Sequence, residues 1–230
     1  MKQSLERPLK LAALLPDLSA SSAAVAALEA AASPRPFHPG QQLIVQDDGD
    51  SLVYLMVEGR ARAVLYSAHG NEVWLDDFQP GDLFGEMAAI GGLPRTSTVV
   101  TQTAGLAYGI ASEQFVALMR DHGDLAVFVA RRLVARVHRT TQRMFELSSL
   151  SATGRIYGEL RRMAVDDPTD PERSRIDHLP SMTELGKRVN ATRETVSRKV
   201  NQLRKLGLVR DEGDGLLILS PDWPNPDDAD

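Results

Sequence analysis

The apolar residues of this chain change period near residue 112, and that change restricts the folds open to it. Across residues 37–110 they fall in short alternating or β-rich runs at 43–45, 52–57, 61–66, 73–75 and 98–110, separated by Pro39-Gly40, Asp48-Gly49, Glu58-Gly59, His69-Gly70 and Pro80-Gly81. Short strands so closely spaced predict a sandwich or barrel, here an antiparallel β-roll. From residue 112 the repeat becomes helical. A short helix over 112–119 turns Phe115, Leu118 and Met119 inward, and 124–150 reads as one long helix. Ahead of the roll, residues 1–34 are Ala- and Ser-rich, with a helix expected over 23–32 behind Ser21 and Ser22 as candidate caps.

Along the long helix Val129, Leu133, Val137, Met144, Leu147 and Leu150 recur every three or four positions. Such a seam is most simply buried against a second copy. Thr140 fills its one gap, with Thr141 beside it. A polar residue there lowers stability unless it sets register or touches something; the plain alternative is a hydroxyl bonded back to its own helix. Leu150-Ser151-Ala152 breaks the rod, and Ser151 can cap a further helix over 153–165, making the break a hinge. Residues 166–175, rich in Asp and Pro, read as a solvated loop.

Ser181-Met182-Thr183-Glu184 is a capping box opening a short helix that ends near Val189. Asn190-Ala191 turns the chain, and a second helix over 192–206 stops at Gly207, the punctuation of a helix-turn-helix. Val196, Val200 and Leu203 gather on one side of that second helix, while Arg193, Glu194, Ser197, Arg198 and Asn201 cover the other. Residues 208–219 are expected to fold as a wing hairpin, and the tail from Pro221 is expected to be loose. The chain carries a net charge of −5, yet residues 181–210 hold eight Lys or Arg against two Glu. A basic module on an acidic body is the footprint of phosphate contact.

The stretch 84–99, Phe-Gly-Glu-Met-Ala-Ala-Ile-Gly-Gly-Leu-Pro-Arg-Thr-Ser-Thr-Val, carries chemistry that packing does not explain. Gly85 lets the backbone approach a ligand, and Gly91-Gly92 permit a tight reversal before Pro94. Glu86 can accept hydrogen bonds from a diol. Arg95 presents a planar donor fork suited to phosphate, with the hydroxyls of Thr96 and Ser97 beside it. An anionic sugar phosphate satisfies all of them together.

This stretch resembles the phosphate-binding cassette of cyclic-nucleotide-binding domains, in the form used by the cyclic AMP receptor protein branch of the Crp/Fnr family of transcription regulators. The resemblance implies that Glu86 holds the ribose 2′-hydroxyl and Arg95 the cyclic phosphate, that Thr96 and the Gly85 amide complete the cradle, and that Met87 and Ser97 belong to the same ligand-binding set. Thr153-Gly154-Arg155 matches the family's hinge-proximal motif. Counted back from it, Thr140 falls where the family contacts the purine and Thr141 where it reaches the ligand of the other subunit. Arg136, one turn earlier, is placed to steady Glu86. Thr-Arg-Glu-Thr-Val-Ser-Arg at 192–198 resembles the family's recognition helix. That likeness implies base contacts from Arg193, Glu194 and Arg198 on a TGTGA-like palindrome, with Ser197 on the same face, and phosphate contacts from Arg188, Thr192, Thr195 and Lys199.

The fold expected is α+β: an N-terminal antiparallel β-roll (1–123), a long dimerisation helix (124–150) and a C-terminal winged helix-turn-helix (151–230). The effector expected is cyclic AMP, with cyclic GMP as an alternative because Thr96 falls where cyclic-GMP-dependent kinases carry a Thr. Expected partners are double-stranded DNA, a second copy of the chain and RNA polymerase. A haem-based gas sensor is the other alternative, drawing on His38, His69, His122 or His138. The absence of cysteine excludes a disulfide scaffold, a thiolate nucleophile and a Cys-ligated cluster. Residues 9–15 are too short for a signal peptide and no window approaches the ~18 apolar residues of a membrane span, so a cytoplasmic protein is expected. A cyclic-nucleotide hydrolase is disfavoured, since neither a metal-ligand spacing nor a Ser-His-Asp set is evident.

Overall fold

The computed structural model describes residues 11–18, 21–49, 51–67, 72–167 and 170–218. Two compact units divide the chain, Met1–Arg136 and Val137–Asp230. In the first, α1 (Leu11–Leu14), a 3-10 turn (Pro16–Leu18) and α2 (Ser22–Ala31) lead into β1 (Ser33–Phe37), β2 (Gln42–Ile44), β3 (Leu52–Glu58), β4 (Ala61–Tyr66), β5 (Glu72–Phe78) and β6 (Leu83–Phe84). There follow α3 (Glu86–Gly91), β7 (Thr98–Thr101), β8 (Gly105–Ala111), α4 (Ser112–Asp121) and α5 (Gly123–Ser149). Ser21 occupies the cap position of α2 but makes no side-chain cap bond.

The strands form two four-stranded antiparallel sheets, β1-β8-β3-β6 and β2-β7-β4-β5. Period-two alternation on β3 sends Tyr54 and Met56 toward the second sheet, where they join Ile44, Ala61, Ala63, Phe78 and Val99. Val53 and Leu55 point the other way, into a layer built with Leu11, Leu15, Leu28, Phe115, Leu125 and Phe128. Helices cover one face of this sheet and strands the other, which is why β3 is buried without alternation at five consecutive positions. The expected run 98–110 is two strands, β7 and β8, because residues 102–104 loop out to meet Arg60, whose amide bonds Thr103 Oγ1 at 2.9 Å.

In the second unit α6 (Ala152–Met163), β9 (Val165–Asp167), β10 (Asp170–Ile176), α7 (Met182–Val189), α8 (Arg193–Lys205), β11 (Val209–Glu212) and β12 (Gly215–Ile218) follow the end of α5. Ile156, Leu160, Leu185, Val196, Val200, Leu203 and Leu216 make its core. Ser151 caps α6 by accepting from the Gly154 amide at 3.1 Å, and Ser181 with Glu184 forms the reciprocal capping box on α7. Gly186 is required by the turn: a Cβ there would stand 2.6 Å from the Ala191 carbonyl oxygen. The solvated loop expected over 166–175 is instead β9 and the body of β10. These polar segments become strands because β12 of the wing pairs with β10 from Ser174 to Ile176, giving the sheet β11-β12-β10-β9. Leu219 and the tail beyond it lie outside the described residues. No helix among the described residues is long and apolar enough to cross a membrane.

Candidate functional site

The site of the first unit hangs on the step from β6 into α3. Gly85 makes that step with φ at +81°, and a Cβ there would lie 2.8 Å from Arg95 Nη1 and 2.9 Å from the Leu52 carbonyl oxygen. Both the backbone angle and the close approach require glycine. The stretch read as a glycine-rich turn contains a short helix, α3, with Glu86 as its first residue.

Glu86 is 3% exposed. Its Oε1 accepts from Arg136 Nη1 at 2.6 Å, the steadying contact expected from position. Its Oε2 is buried and has no hydrogen-bond partner among the described residues. Burial raises the Glu86 carboxyl above its ordinary range, and the Arg136 guanidinium opposes that rise. Arg136 is itself held on several sides: Nη2 donates to the Leu83 carbonyl at 3.3 Å, Nε lies 3.5 Å from Asp76 Oδ2, and its guanidinium carbon sits 5.5 Å from the Phe78 ring centroid.

Arg95 is 2% exposed. Nη1 donates to the Gly85 carbonyl at 2.9 Å and Nη2 to the Leu52 carbonyl at 2.6 Å. The fork is thus brought onto the same glycine that precedes Glu86, and two of its five donors are fixed by backbone. Met87 and Thr96 are exposed and Ser97 is half-buried. The structure therefore gathers Gly85, Glu86 and Arg95, and adds Arg136 and Asp76. Asp76, one of two adjacent acids on β5, left no signal in the sequence beyond a charge on a half-buried strand.

In the second unit Thr140 and Thr141 are exposed on α5, and the Thr141 hydroxyl donates back to the Val137 carbonyl at 3.0 Å. Of the seam residues, Val137, Met144 and Leu147 are 65%, 67% and 50% exposed. On α8 the division is as expected: Val196, Val200 and Leu203 are buried, while Arg193, Glu194, Arg198 and Asn201 are exposed. Thr192 caps the helix by accepting from the Thr195 amide at 3.2 Å, and Ser197 and Lys199 are half-buried beside the exposed face. Hydrogen bonds from its own backbone and from Thr192 keep the Glu194 carboxyl below its ordinary range, so it is an acceptor at neutral pH. Arg188, near the end of α7, has its Nη1 3.5 Å from the buried Glu159.

Arg155, of the hinge-proximal motif, clasps three carbonyls: Leu150 at 2.7 Å, Val189 at 2.8 Å and Asn190 at 3.2 Å. Arg162 bridges Glu159 at 2.9 Å and Glu146 at 2.5 Å. Sequence reasoning missed this second clasp, because Arg162 and Glu146 are 16 residues apart and meet only once the chain turns at Ser151.

Two family models match the chain, a cyclic nucleotide-binding domain at residues 34–122 and a Crp-like helix-turn-helix domain at 154–223. The CRP-like cAMP-activated global transcriptional regulator of Mycobacterium tuberculosis is 26% identical over 85% of this chain and 88% of its own length. The cAMP-activated global transcriptional regulator CRP of Salmonella typhimurium is 26% identical over 76% of this chain and 84% of its own. Among solved structures, the c-di-GMP responsive global regulator CLP of Xanthomonas campestris shares the fold, with a TM-score of 0.73 at 20% identity over 87% of this chain and all of that one.

Proposed function

We propose, from the premise that this chain belongs to the Crp family of transcription regulators and is a DNA-binding regulator rather than an enzyme, that cyclic AMP gates it. The observation that carries the reading is the buried Oε2 of Glu86, without a hydrogen-bond partner among the described residues, beside a fixed arginine fork. An acceptor left so is costly unless a donor reaches it, and a ribose hydroxyl is such a donor. Arg95 supplies charge-assisted donors to the cyclic phosphate, with Thr96 and Ser97 at its rim. Thr140 and Thr141 meet the purine from α5, one in each subunit of a homodimer.

The dimer forms through the exposed seam of Val137, Met144 and Leu147, apolar side chains that a single chain leaves in water. Ligand binding biases the paired helices, and the hinge at Ser151 passes that bias to the readers as a population shift. Arg193 and Arg198 suit guanine O6 and N7, and Glu194 suits cytosine N4, on a TGTGA-like palindrome, with Ser197 on the same face; Arg188, Thr192, Thr195 and Lys199 hold the flanking phosphates. The protein works in the cytoplasm, where its DNA lies, and RNA polymerase is the partner it serves.

Calorimetric titration with cyclic AMP, cyclic GMP and cyclic di-GMP tests the ligand. Cyclic AMP is expected to bind more tightly than the other two. Preference for cyclic GMP would move the reading to the alternative that Thr96 suggests, and binding of cyclic di-GMP alone would overturn it.

A further inference from the structure

We propose that Asp76 is a positioning residue of the nucleotide site, sharing the Arg136 guanidinium with Glu86 and so setting how much of that cation the sugar-side carboxylate keeps. The proposal rests on the nucleotide reading above and names a residue of that site which the reading does not use. Its basis is geometric. One guanidinium spans two carboxylates, Glu86 at 2.6 Å through Nη1 and Asp76 at 3.5 Å through Nε. The Leu83 carbonyl and the Phe78 ring hold the same group from two further sides, so Arg136 has little freedom to abandon either acid. Asp76 comes from β5, opposite Ala63, whereas Glu86 comes from α3 and Arg136 from α5. Three elements therefore meet at one cation.

The neighbouring charges are committed elsewhere. Asp77 accepts from Trp74 Nε1 at 3.1 Å, Asp82 pairs with Arg132 at 2.9 Å, and Glu72 lies 3.4 Å from Arg62. Arg95 sits on the carbonyls of Gly85 and Leu52. Among the described residues this leaves Arg136 as the cation and Asp76 as the anion that act on Glu86. With its side chain 18% exposed, Asp76 is only partly screened by water. It competes for Arg136 and repels Glu86, and both effects favour a proton on Glu86. A neutral Glu86 is a poorer acceptor for a ligand hydroxyl than a carboxylate.

Asp76→Asn keeps the shape and removes the charge; Asp76→Glu keeps the charge. Two measurements from about pH 5 to about pH 8 decide the matter: cyclic AMP affinity by calorimetry, and the NMR shift of the Glu86 carboxyl carbon in ligand-free protein. In Asp76→Asn both midpoints are expected to move to lower pH, and in Asp76→Glu both are expected to stay near wild type. Superimposed Asn and wild-type curves would overturn the role of Asp76. Failure of wild type to bind cyclic AMP at any pH would overturn the ligand reading instead, and the NMR midpoint would still decide Asp76.

Discussion

Arg95 Nη2 lies 2.6 Å from the carbonyl oxygen of Leu52, so the cation assigned to the ligand phosphate is anchored first by the protein's own backbone. The anchoring pre-orients the fork, and Arg95 is buried while it is made. A phosphate must share that guanidinium with the Leu52 and Gly85 carbonyls. Lysine, a point charge without a fork, cannot serve both. Arg95→Lys is expected to weaken cyclic AMP binding by about tenfold or more, the order of one or two charge-assisted hydrogen bonds. Calorimetry measures it, and unchanged affinity would remove Arg95 from the site.

Glu86 makes stability and pH oppose each other. Its carboxyl is raised in the folded protein, so between the unfolded and folded values the native state binds the extra proton. Stability from this group is therefore present at low pH and lost as pH rises through the folded value. Glu86→Gln removes that loss. Its melting temperature relative to wild type is expected to improve as pH is raised from about 5 to about 8, by a degree or more, while cyclic AMP affinity falls. A difference in melting temperature that does not vary with pH would contradict the assignment.

The reading face of α8 separates sequence recognition from simple attraction. Arg193→Ala and Arg198→Ala are each expected to cost roughly 1–3 kcal/mol on a TGTGA palindrome and nothing in cyclic AMP affinity. Lys199→Ala should weaken binding to all sequences alike and lower the salt slope by about one. Fluorescence anisotropy over a salt series distinguishes the two patterns.

Met144 is 67% exposed at the centre of the unburied seam. Met144→Glu is expected to shift the protein from dimer to monomer in sedimentation, and to abolish palindrome binding without loss of the folded cyclic-nucleotide unit. A dimer unaffected by the substitution would place the interface elsewhere.

Glu159, 3% exposed, depends on Arg162 and Arg188 for its charge balance. Arg162→Ala removes the nearer cation and opens the link to Glu146. Leaving a buried carboxylate with one cation in place of two costs up to about 3 kcal/mol, so the helix-turn-helix unit should melt earlier in that variant while cyclic AMP affinity is unchanged. Equal melting would show that Arg188 alone suffices.

What the sequence made legible follows from which signals are local. The capping box at Ser181, the stop at Gly207 and the split faces of α8 are written in neighbouring residues, and each was readable. β1 was not, because Ser33-Pro34-Arg35-Pro36-Phe37 carries two prolines. It persists because it pairs only with β8 at a sheet edge, where missing amides go unused. β9 and β10 were hidden for the opposite reason: Asp- and Arg-rich, they become strands only because the wing brings β12 to them. At the site, Glu86 and Arg95 stood out as charges among glycines. Asp76, Leu52 and Arg162 act through contacts made far along the chain, and no local pattern marks them.

The most direct measurement of the whole account is the affinity of the protein for a labelled TGTGA palindrome with and without saturating cyclic AMP, in wild type and in Arg95→Lys. A gain of at least about tenfold is expected on adding nucleotide to wild type, about 1.4 kcal/mol, and a markedly smaller gain in the variant. Equal binding with and without nucleotide in wild type would contradict it.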